Sequence, residues 1–205
     1  MTAFDAAYYR HAAAYAEKPF WAEEARRVMN AAAPMDGAIV LDFGCNDGRM
    51  ADWIRVESKH ARVLGVDVNE AALELGRAAH PGVRFLERYE GRSFPLPDRS
   101  VDVVVSLNTL GHVDDPQFSL SEIRRVLAPY GMFVCVVPNR SYYRAADPLG
   151  RHPGDPTIKW EWSPAKLSLD LFAHGLRAQA LETFGRRAWS APWLRARILA
   201  TAIKY

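Results

Sequence analysis

The chain alternates short apolar runs with longer segments in which apolar residues recur every three or four positions. Short apolar runs are typical of buried strands, and the amphipathic segments between them are typical of helices. The run at 101–107, VDVVVSL, is almost continuously apolar, as expected for a strand that is covered on both faces. Strands are predicted at 38–43, 62–67, 83–87, 101–107, 132–137, 178–184 and 196–204.

Helices are predicted before, between and after these strands. The segment 48–60 is predicted to turn Met50, Trp53 and Ile54 inward, with Val56 as a further candidate. Asp115 can cap a helix that begins at Pro116 and buries the row Leu120, Ile123 and Leu127. The other helices are expected at 3–15, 19–33, 70–80 and from 164 to the break at Gly175, and the stretch 138–163 is expected to be irregular.

This alternation predicts an α/β fold with a doubly wound, Rossmann-like, seven-stranded and mostly parallel sheet that has helices on both faces. The 205 residues suffice for a single domain. We divide it into an N-terminal helical segment, a core of alternating strands and helices, an irregular connection, and a C-terminal helix with two strands. Their expected limits are 1–33, 38–138, 139–163 and 164–205.

Composition narrows the class of partner. The net charge of +2 demands no polyanion, although residues 140–205 carry eleven Lys or Arg against five Asp or Glu. No apolar window is long enough to span a membrane, and Asp5, Arg10 and His11 interrupt any signal-peptide core. The cysteines, Cys45 and Cys135, lie in apolar contexts and are expected to be reduced thiols, which favours the cytoplasm. We expect no metal site.

The stretch VLDFGCNDGR, residues 40–49, joins a predicted strand to a glycine loop and a helix. About twenty residues later Asp67 ends the next strand, where a carboxylate can bind both hydroxyls of a ribose. The dinucleotide fingerprint requires glycines at the first, third and sixth positions of the loop, but these positions hold Gly44, Asn46 and Arg49. Asp42 would also repel a pyrophosphate.

A cationic adenosyl ligand fits this loop better. S-adenosylmethionine has an adenosine, no phosphate, an ammonium group and a sulfonium, so the carboxylate of Asp42 would attract it. Gly44 and Gly48 would let the backbone approach the amino-acid tail closely, and Asn46 tolerates a left-handed conformation. A carboxylate that only braces the loop is the alternative role for Asp42.

These motifs resemble those of the class I S-adenosylmethionine-dependent methyltransferases across nearly the whole chain. VLDFGCNDGR is similar to the family's first motif, with Asn46 in place of a usual glycine, and VLGVDVN is similar to the second. The segments FPLPDRSVDVVVSLNTLGHVDDP and EIRRVLAPYGMFVCVVPN resemble the fourth-strand and fifth-strand regions. YYRHAAAY resembles the start of the cofactor lid, and WSPAKLSLDLFAHGL the helix before the sixth strand.

The resemblance implies S-adenosylmethionine as cofactor, S-adenosylhomocysteine as product, and a set of binding residues. It also implies that 1–33 form a helical lid, 38–138 the cofactor-binding core and 139–163 the connection on the substrate side. Asp67 would bind the ribose, Val68 would flank the adenine, and Asn108 would bound the cofactor methyl or the substrate, unless it serves only the turn. The implied cofactor-binding set is Tyr15, Asp42, Gly44, Cys45, Asn46, Gly48, Asp67, Val68, Leu107 and Asn108. FLERYEGRSF departs from the family pattern, so Glu87 and Glu90 are both candidates for the contact with the adenine amine.

The implied strand order places the fourth strand between the first and the fifth. Two strand spacings of about 4.8 Å exceed the reach of a disulfide, so Cys45 and Cys135 should not pair. His112, on the loop after the fourth strand, is the candidate general base; its alternative role is structural, with a bond to a loop carbonyl or to Asp115.

We therefore expect transfer of a methyl group to an oxygen, nitrogen or carbon nucleophile of a small molecule of aromatic or polar character. No membrane and no nucleic acid are expected as partners, and a monomer and a homodimer remain open. An RNA or protein methyltransferase and a non-catalytic subunit of the same fold are the alternatives. The expected lid and substrate pocket use the aromatic residues Tyr8, Tyr9, Tyr15, Phe20, Trp21, Tyr142, Tyr143, Trp160 and Trp162.

Overall fold

A computed structural model describes residues 19–34, 36–58, 60–86, 93–147, 157–187 and 195–205. The predicted helix at 3–15 lies outside these residues. The elements, in chain order, are α1 (Pro19–Ala32), β1 (Ile39–Phe43), α2 (Arg49–Glu57), β2 (Arg62–Val66), α3 (Glu70–Ala79), β3 (Arg84–Phe85), β4 (Val101–Leu107), α4 (Pro116–Val126), β5 (Leu127–Pro138), α5 (Arg140–Ala146), α6 (Pro164–Ala173), β6 (Leu176–Arg187) and β7 (Arg195–Lys204).

One seven-stranded sheet has the order β3-β2-β1-β4-β5-β7-β6. The pairs β1–β2, β1–β4, β2–β3 and β4–β5 are parallel. Strand β7 is antiparallel to both of its neighbours. The physical reason is the connection after β6, since residues 188–194 are too few for the crossover that a parallel pair requires. The α/β class and the seven-stranded, mostly parallel sheet are confirmed, with the two antiparallel pairs at the β7 side.

Two apolar layers sandwich the sheet. One layer includes Phe133 and Leu167 with the inner row of α4, while the other includes Val28 of α1 and Ile54 of α2. Helix α1 packs on β4, β5 and β7. The predicted inward row Leu120, Ile123 and Leu127 is fully buried. Helices therefore cover both faces of the sheet in the described part of the chain.

Local chemistry sets the ends of the helices. Asp115 caps α4 by accepting from the N–H groups of Gln117 and Phe118, and Pro116 occupies the first turn. Ser163 caps α6, and Gly175, with a φ of 68°, follows it in the left-handed conformation. These predicted helix boundaries are confirmed.

Three local predictions are wrong. Val56 is 56% exposed, because α2 turns Met50, Ala51 and Ile54 inward instead. The stretch predicted to be irregular contains α5, which Asn139 caps by accepting from the N–H of Ser141. The fifth strand starts at Leu127, directly after α4, rather than after Gly131.

Among the described residues, no helix is both long and apolar enough to cross a bilayer. The same residues hold no group of three His, Cys, Asp or Glu side chains that could bind a metal ion.

Candidate functional site

The candidate site lies at the carboxyl edge of the sheet, where the chain leaves β1 and β2 on one side and β4 and β5 on the other. The sheet order is β3-β2-β1-β4-β5, so from β1 the chain first builds the sheet toward β3 and then returns to add β4 on the other side of β1. The direction of strand addition therefore reverses between β1 and β4. In doubly wound sheets this crevice is the usual ligand site. The glycine loop after β1 and the loop after β4 border it.

The glycine loop adopts the backbone conformation that its sequence predicts. Gly44, Asn46 and Gly48 all have positive φ angles, of 78°, 50° and 82°. Asparagine is among the few residues that adopt this region readily, so Asn46 is compatible with a position that a glycine would otherwise take. Gly48 immediately precedes α2. The loop thus turns tightly enough for α2 to begin directly beside the strand end.

Both glycines face protein side chains at close range. A Cβ atom on Gly44 would lie 2.1 Å from Oγ1 of Thr109, and one on Gly48 would lie 2.3 Å from Cζ of Phe85. Any larger residue would therefore collide with the loop after β4 or with the end of β3. The predicted reason for these glycines is the close approach of a ligand, but packing within the protein already requires both of them. The sequence carried no signal for these partners.

Asp42 is buried beneath the glycine loop with only 1% of its surface exposed. Oδ2 of its carboxylate has no hydrogen-bond partner among the described residues. Burial, followed by the nearby charge of Asp67, raises the pKa of Asp42 to about 7. Asp42 therefore leaves one buried oxygen unsatisfied, which is costly unless a cation or donor binds it.

Asp67 lies directly after β2 and is half-buried. Oδ2 accepts from the N–H of Asn46 at 2.9 Å, and Oδ1 accepts from the N–H of Asn69 at 3.0 Å. Burial raises the pKa of Asp67, and the backbone donors oppose that shift. Each carboxylate oxygen has two lone pairs, so these bonds leave acceptor capacity for a ribose while they tie the glycine loop to β2.

The other described residues of the implied cofactor-binding set lie near the same crevice. Cys45 is buried, and its N–H donates to the carbonyl of Val66 at 3.1 Å, so this amide is satisfied within the protein. Val68 is half-buried beside Asp67, and Leu107 is half-buried at the end of β4. Tyr15, Glu87 and Glu90 lie outside the described residues. Cys45 and Cys135 are free thiols, as predicted.

His112 contacts the connection that follows α5. Its Nδ1 lies 3.0 Å from both the carbonyl oxygen and the hydroxyl oxygen of Thr157. A carbonyl can only accept, so this contact favours the tautomer with its proton on Nδ1 and a lone pair on Nε2. The predicted structural bond to a loop carbonyl is therefore present, and it is compatible with a basic Nε2.

A buried polar network, which sequence reasoning missed, connects the loop after β4 to distant parts of the chain. Glu24 of α1 is 4% exposed; its Oε2 accepts from Nδ2 of Asn108 at 2.7 Å, and its Oε1 accepts from Nε of Arg197 at 3.1 Å. Arg197 also donates to the hydroxyl oxygen of Tyr143 at 2.5 Å. These residues are far apart in the sequence, so no local pattern could have paired them.

The aromatic residues divide between packing and the site. Trp162 is buried and donates to Asp170, while Trp21 lies against Trp53 with ring centroids 6.0 Å apart. The rings of Tyr142 and Tyr143 meet edge to face at 5.2 Å and are half-buried at the carboxyl edge. Trp160, which is exposed, donates to the carbonyl of Val113 in the loop after β4. The other predicted lid aromatics, Tyr8, Tyr9, Tyr15 and the side chain of Phe20, lie outside the description.

These residues fit a cationic adenosyl cofactor. The unsatisfied Oδ2 of Asp42 offers a buried negative site, and Asp67 offers hydrogen-bond acceptors at the mouth of the loop. No arginine or lysine is paired with either carboxylate among the described residues. These two carboxylates therefore favour a ligand with an ammonium or sulfonium group and disfavour a phosphate.

Comparison with known proteins gives the same assignment. Residues 41–135 match the family described as a methyltransferase domain. A protein of Mycolicibacterium smegmatis described as a probable S-adenosylmethionine-dependent methyltransferase is 40% identical over 104 residues, which are 51% of this chain and 39% of that protein. A demethylmenaquinone methyltransferase of Symbiobacterium thermophilum is 33% identical over 115 residues, which are 53% of this chain and 45% of that one.

The chain thus spans less than half the length of these two curated relatives. A crystal structure of a SAM-dependent methyltransferase from Aquifex aeolicus shares the fold over 98% of this chain and 100% of that one, with a TM-score of 0.75 and 20% sequence identity. The matched segment 41–135 contains Asp42, the glycine loop, Asp67 and the loop after β4.

Proposed function

We propose that this chain is a class I S-adenosylmethionine-dependent methyltransferase, and that it transfers a methyl group to an oxygen, nitrogen or carbon nucleophile of a small molecule. The observation that carries the proposal is the buried carboxylate of Asp42, which has an unsatisfied oxygen beneath a left-handed glycine loop. S-adenosylmethionine is the cofactor of this family. When bound, it supplies a methyl group on a sulfonium that departs as a neutral thioether.

The residues of the glycine loop would hold and orient the cofactor. Asp42 would neutralise its positive charge, either directly or through a water molecule, and Asp67 would accept from the ribose hydroxyls. Leu107 and Asn108 would border the reacting methyl group, because they lie where β4 ends beside the loop. Glu24 fixes the side-chain amide of Asn108, since a carboxylate can bind only its NH₂ end.

The acceptor would lie on the other side of β4. Three segments meet there. The N–H groups of Lys159 and Trp160 both donate to the carbonyl of Gly111 in the loop 108–113. Helix α5 joins them, because the N–H of Arg140 donates to the carbonyl of Trp162. This position places an acceptor beside the cofactor at one continuous edge, where alignment alone lowers the barrier by several kcal/mol. The named relative that acts on demethylmenaquinone supports a small-molecule acceptor.

His112 would accept the proton of an acceptor that is protonated at neutral pH. Its contact with Thr157 holds the proton on Nδ1 and leaves the lone pair on Nε2, which is the form required of a general base. An acceptor that already carries a free lone pair would not require this step. The buried, reduced thiols of Cys45 and Cys135 support action in the cytoplasm.

Calorimetric titration with S-adenosylmethionine and S-adenosylhomocysteine tests the proposal. We expect saturable binding of both compounds and no competing binding of a nicotinamide dinucleotide. Asp67→Asn should weaken the binding of both by at least tenfold, whereas Asp102→Asn, at the amino-terminal end of β4, should leave it unchanged. Absence of heat with either compound would favour the non-catalytic subunit, and tight dinucleotide binding would overturn the cofactor assignment.

A further inference from the structure

The carboxyl edge of the sheet carries opposite charges at its two ends. Asp42, Asp47 and Asp67 surround the glycine loop at the cofactor end. At the other end, arginines gather where α5 follows β5 and where β7 begins. These arginines are Arg140, Arg144, Arg195 and Arg197.

Strand register brings the arginines together. Arg197 pairs with Pro138 in the antiparallel ladder, which places the start of β7 beside the end of β5. The side chain of Asn139 donates to the carbonyl of Arg195 at 2.8 Å and also caps α5, which begins at Arg140. A reversed β7 is required for this arrangement, because a parallel strand would carry the same arginines to the opposite edge.

Most of this positive charge has no carboxylate partner among the residues that the structure describes. Arg197 is paired with Glu24. Within the described ranges no ion pair involves Arg140, Arg144 or Arg195, and the guanidinium of Arg195 donates to the carbonyl of Gly185 at 3.4 Å. Arg140 and Arg144 are exposed, and Arg195 is half-buried.

Tyr143 lies among these arginines. Arg140 is the neighbour of Tyr143 on the surface of α5, because positions three apart are neighbours on a helix, and Arg144 follows Tyr143 in the same helix. A guanidinium can only donate, so the phenolic oxygen of Tyr143 accepts from Arg197 and its own proton is directed elsewhere. No acceptor for that proton lies among the described residues.

We propose that the acceptor carries an anionic oxygen, as a carboxylate or a phosphate group, that binds the Tyr143 hydroxyl among Arg140, Arg144 and Arg195. This inference rests on the proposed function, whose acceptor side it specifies. Arg197 is a positioning residue, because it orients Tyr143 and is itself oriented by Glu24. Hydrogen bonds to a charged oxygen are about twice as strong as neutral ones, so an anion gains most from this arrangement.

The arrangement favours a small anion over a nucleic acid. Nucleic-acid binding surfaces distribute positive charge along a track that follows many phosphates. Here Arg140 and Arg144 lie on the same helix of seven residues as Tyr143, and Arg195 begins the strand whose Arg197 contacts the Tyr143 hydroxyl. One anionic group of a small acceptor matches that distribution.

The test measures binding to protein that is saturated with S-adenosylhomocysteine, using 2-naphthoate, 2-naphthyl phosphate and the neutral methyl 2-naphthoate as probes. We expect at least one anionic probe to bind tenfold more tightly than the neutral ester, with an affinity that falls as salt rises. The better of the two anions identifies carboxylate or phosphate as the group that is recognised.

Matched variants separate the site from the rest of the protein. Tyr143→Phe should weaken the anionic probe about tenfold, whereas Tyr142→Phe, its neighbour on α5, should not. The triple variant R140Q/R144Q/R195Q should remove most of the salt dependence, whereas R62Q/R84Q, at the opposite edge of the sheet, should retain it.

The outcomes distinguish the two proposals. If S-adenosylhomocysteine fails to bind, the proposed function fails first. If it binds but the ester matches both anions, or no anion binds, or Tyr143→Phe has no effect, only the anionic acceptor is overturned. Tighter and more salt-dependent binding of an RNA oligonucleotide than of the naphthoates would likewise overturn it and favour a nucleic-acid acceptor.

Discussion

Replacement of Asp42 by asparagine should stabilise the ligand-free protein at alkaline pH and at the same time weaken cofactor binding. The pKa of Asp42 is raised from an ordinary value of 3.8 to about 7, mainly by burial. Between these two values the unfolded chain releases the proton while the folded protein retains it, so stability falls as pH rises from about 4 to about 7. A shift of about three pKa units corresponds to about 4 kcal/mol at 1.36 kcal/mol per unit.

Asparagine has the same shape and no charge, so it fills the buried position without the cost of ionisation. At pH 8 the Asp42→Asn protein should therefore be more stable than the wild type by about 2–4 kcal/mol. At pH 4 the two proteins should be nearly equal. Urea denaturation at both pH values measures this difference, and Asp36→Asn, at an exposed position before β1, is the matched control.

The same variant should lose affinity for the cofactor. Only the ionised carboxylate attracts a cation, so the wild type should bind S-adenosylmethionine more tightly as pH rises through about 7, whereas the variant should show no such rise. At pH 8 we expect at least a tenfold loss in calorimetry, and a larger loss for the sulfonium compound than for its demethylated product. A variant that is less stable than the wild type at pH 8, or that binds as tightly, would refute the reasoning.

Two further predictions concern packing and the acid limb of stability. Gly76→Ala should destabilise the protein by about 1–3 kcal/mol despite the better helix propensity of alanine, because the new Cβ would lie 2.6 Å from Cζ of Phe85 and 2.9 Å from the carbonyl oxygen of Asp47. Gly82→Ala meets only the flexible side chain of Arg55 and should be nearly neutral in the same urea experiment; equal stability of the two variants would contradict the packing argument. Glu122→Gln should cost about 2–3 kcal/mol at pH 7, because Glu122 accepts from Arg125 and from the N–H of Phe94. Burial raises the pKa of Glu122, but the bonds from Arg125 and from the N–H of Phe94 outweigh burial and lower it. The cost of Glu122→Gln should therefore shrink as pH falls below about 4.5. A cost that does not change with pH would contradict this argument.

Much of the cofactor side could be predicted because its signals are local. The order of Asp42, Gly44, Asn46 and Gly48 follows one strand end, and the left-handed backbone of Asn46 belongs to a residue type that tolerates it. Asp67 ends the next parallel strand, and neighbouring parallel strands end at the same edge of the sheet. Its carboxylate therefore reaches the glycine loop and accepts from the N–H of Asn46. Long-range contacts were not accessible in this way: no local signal indicates that Thr109 and Phe85 fill the space beside the glycines.

The proposed acceptor side could not be predicted from the sequence, because its residues come from distant parts of the chain. Its charges come from α1, α5 and β7, and what joins Glu24 to Arg197 is the packing of α1 against the sheet. The sequence showed a basic C-terminal part, but the position of these arginines depended on the direction of β7 and on a helix in a stretch that appeared irregular.

By itself, the sequence determined the alternation of strands and helices and the glycine loop with its acidic residues, because each follows from residues close together in the chain. The tertiary structure alone decided which oxygen of Asp42 has no partner among the described residues, which side chains require the glycines, and that Arg197 contacts Tyr143. Burial, register and strand direction are properties of the packed chain, and they set the energy of a buried charge and the distance between residues that the sequence separates.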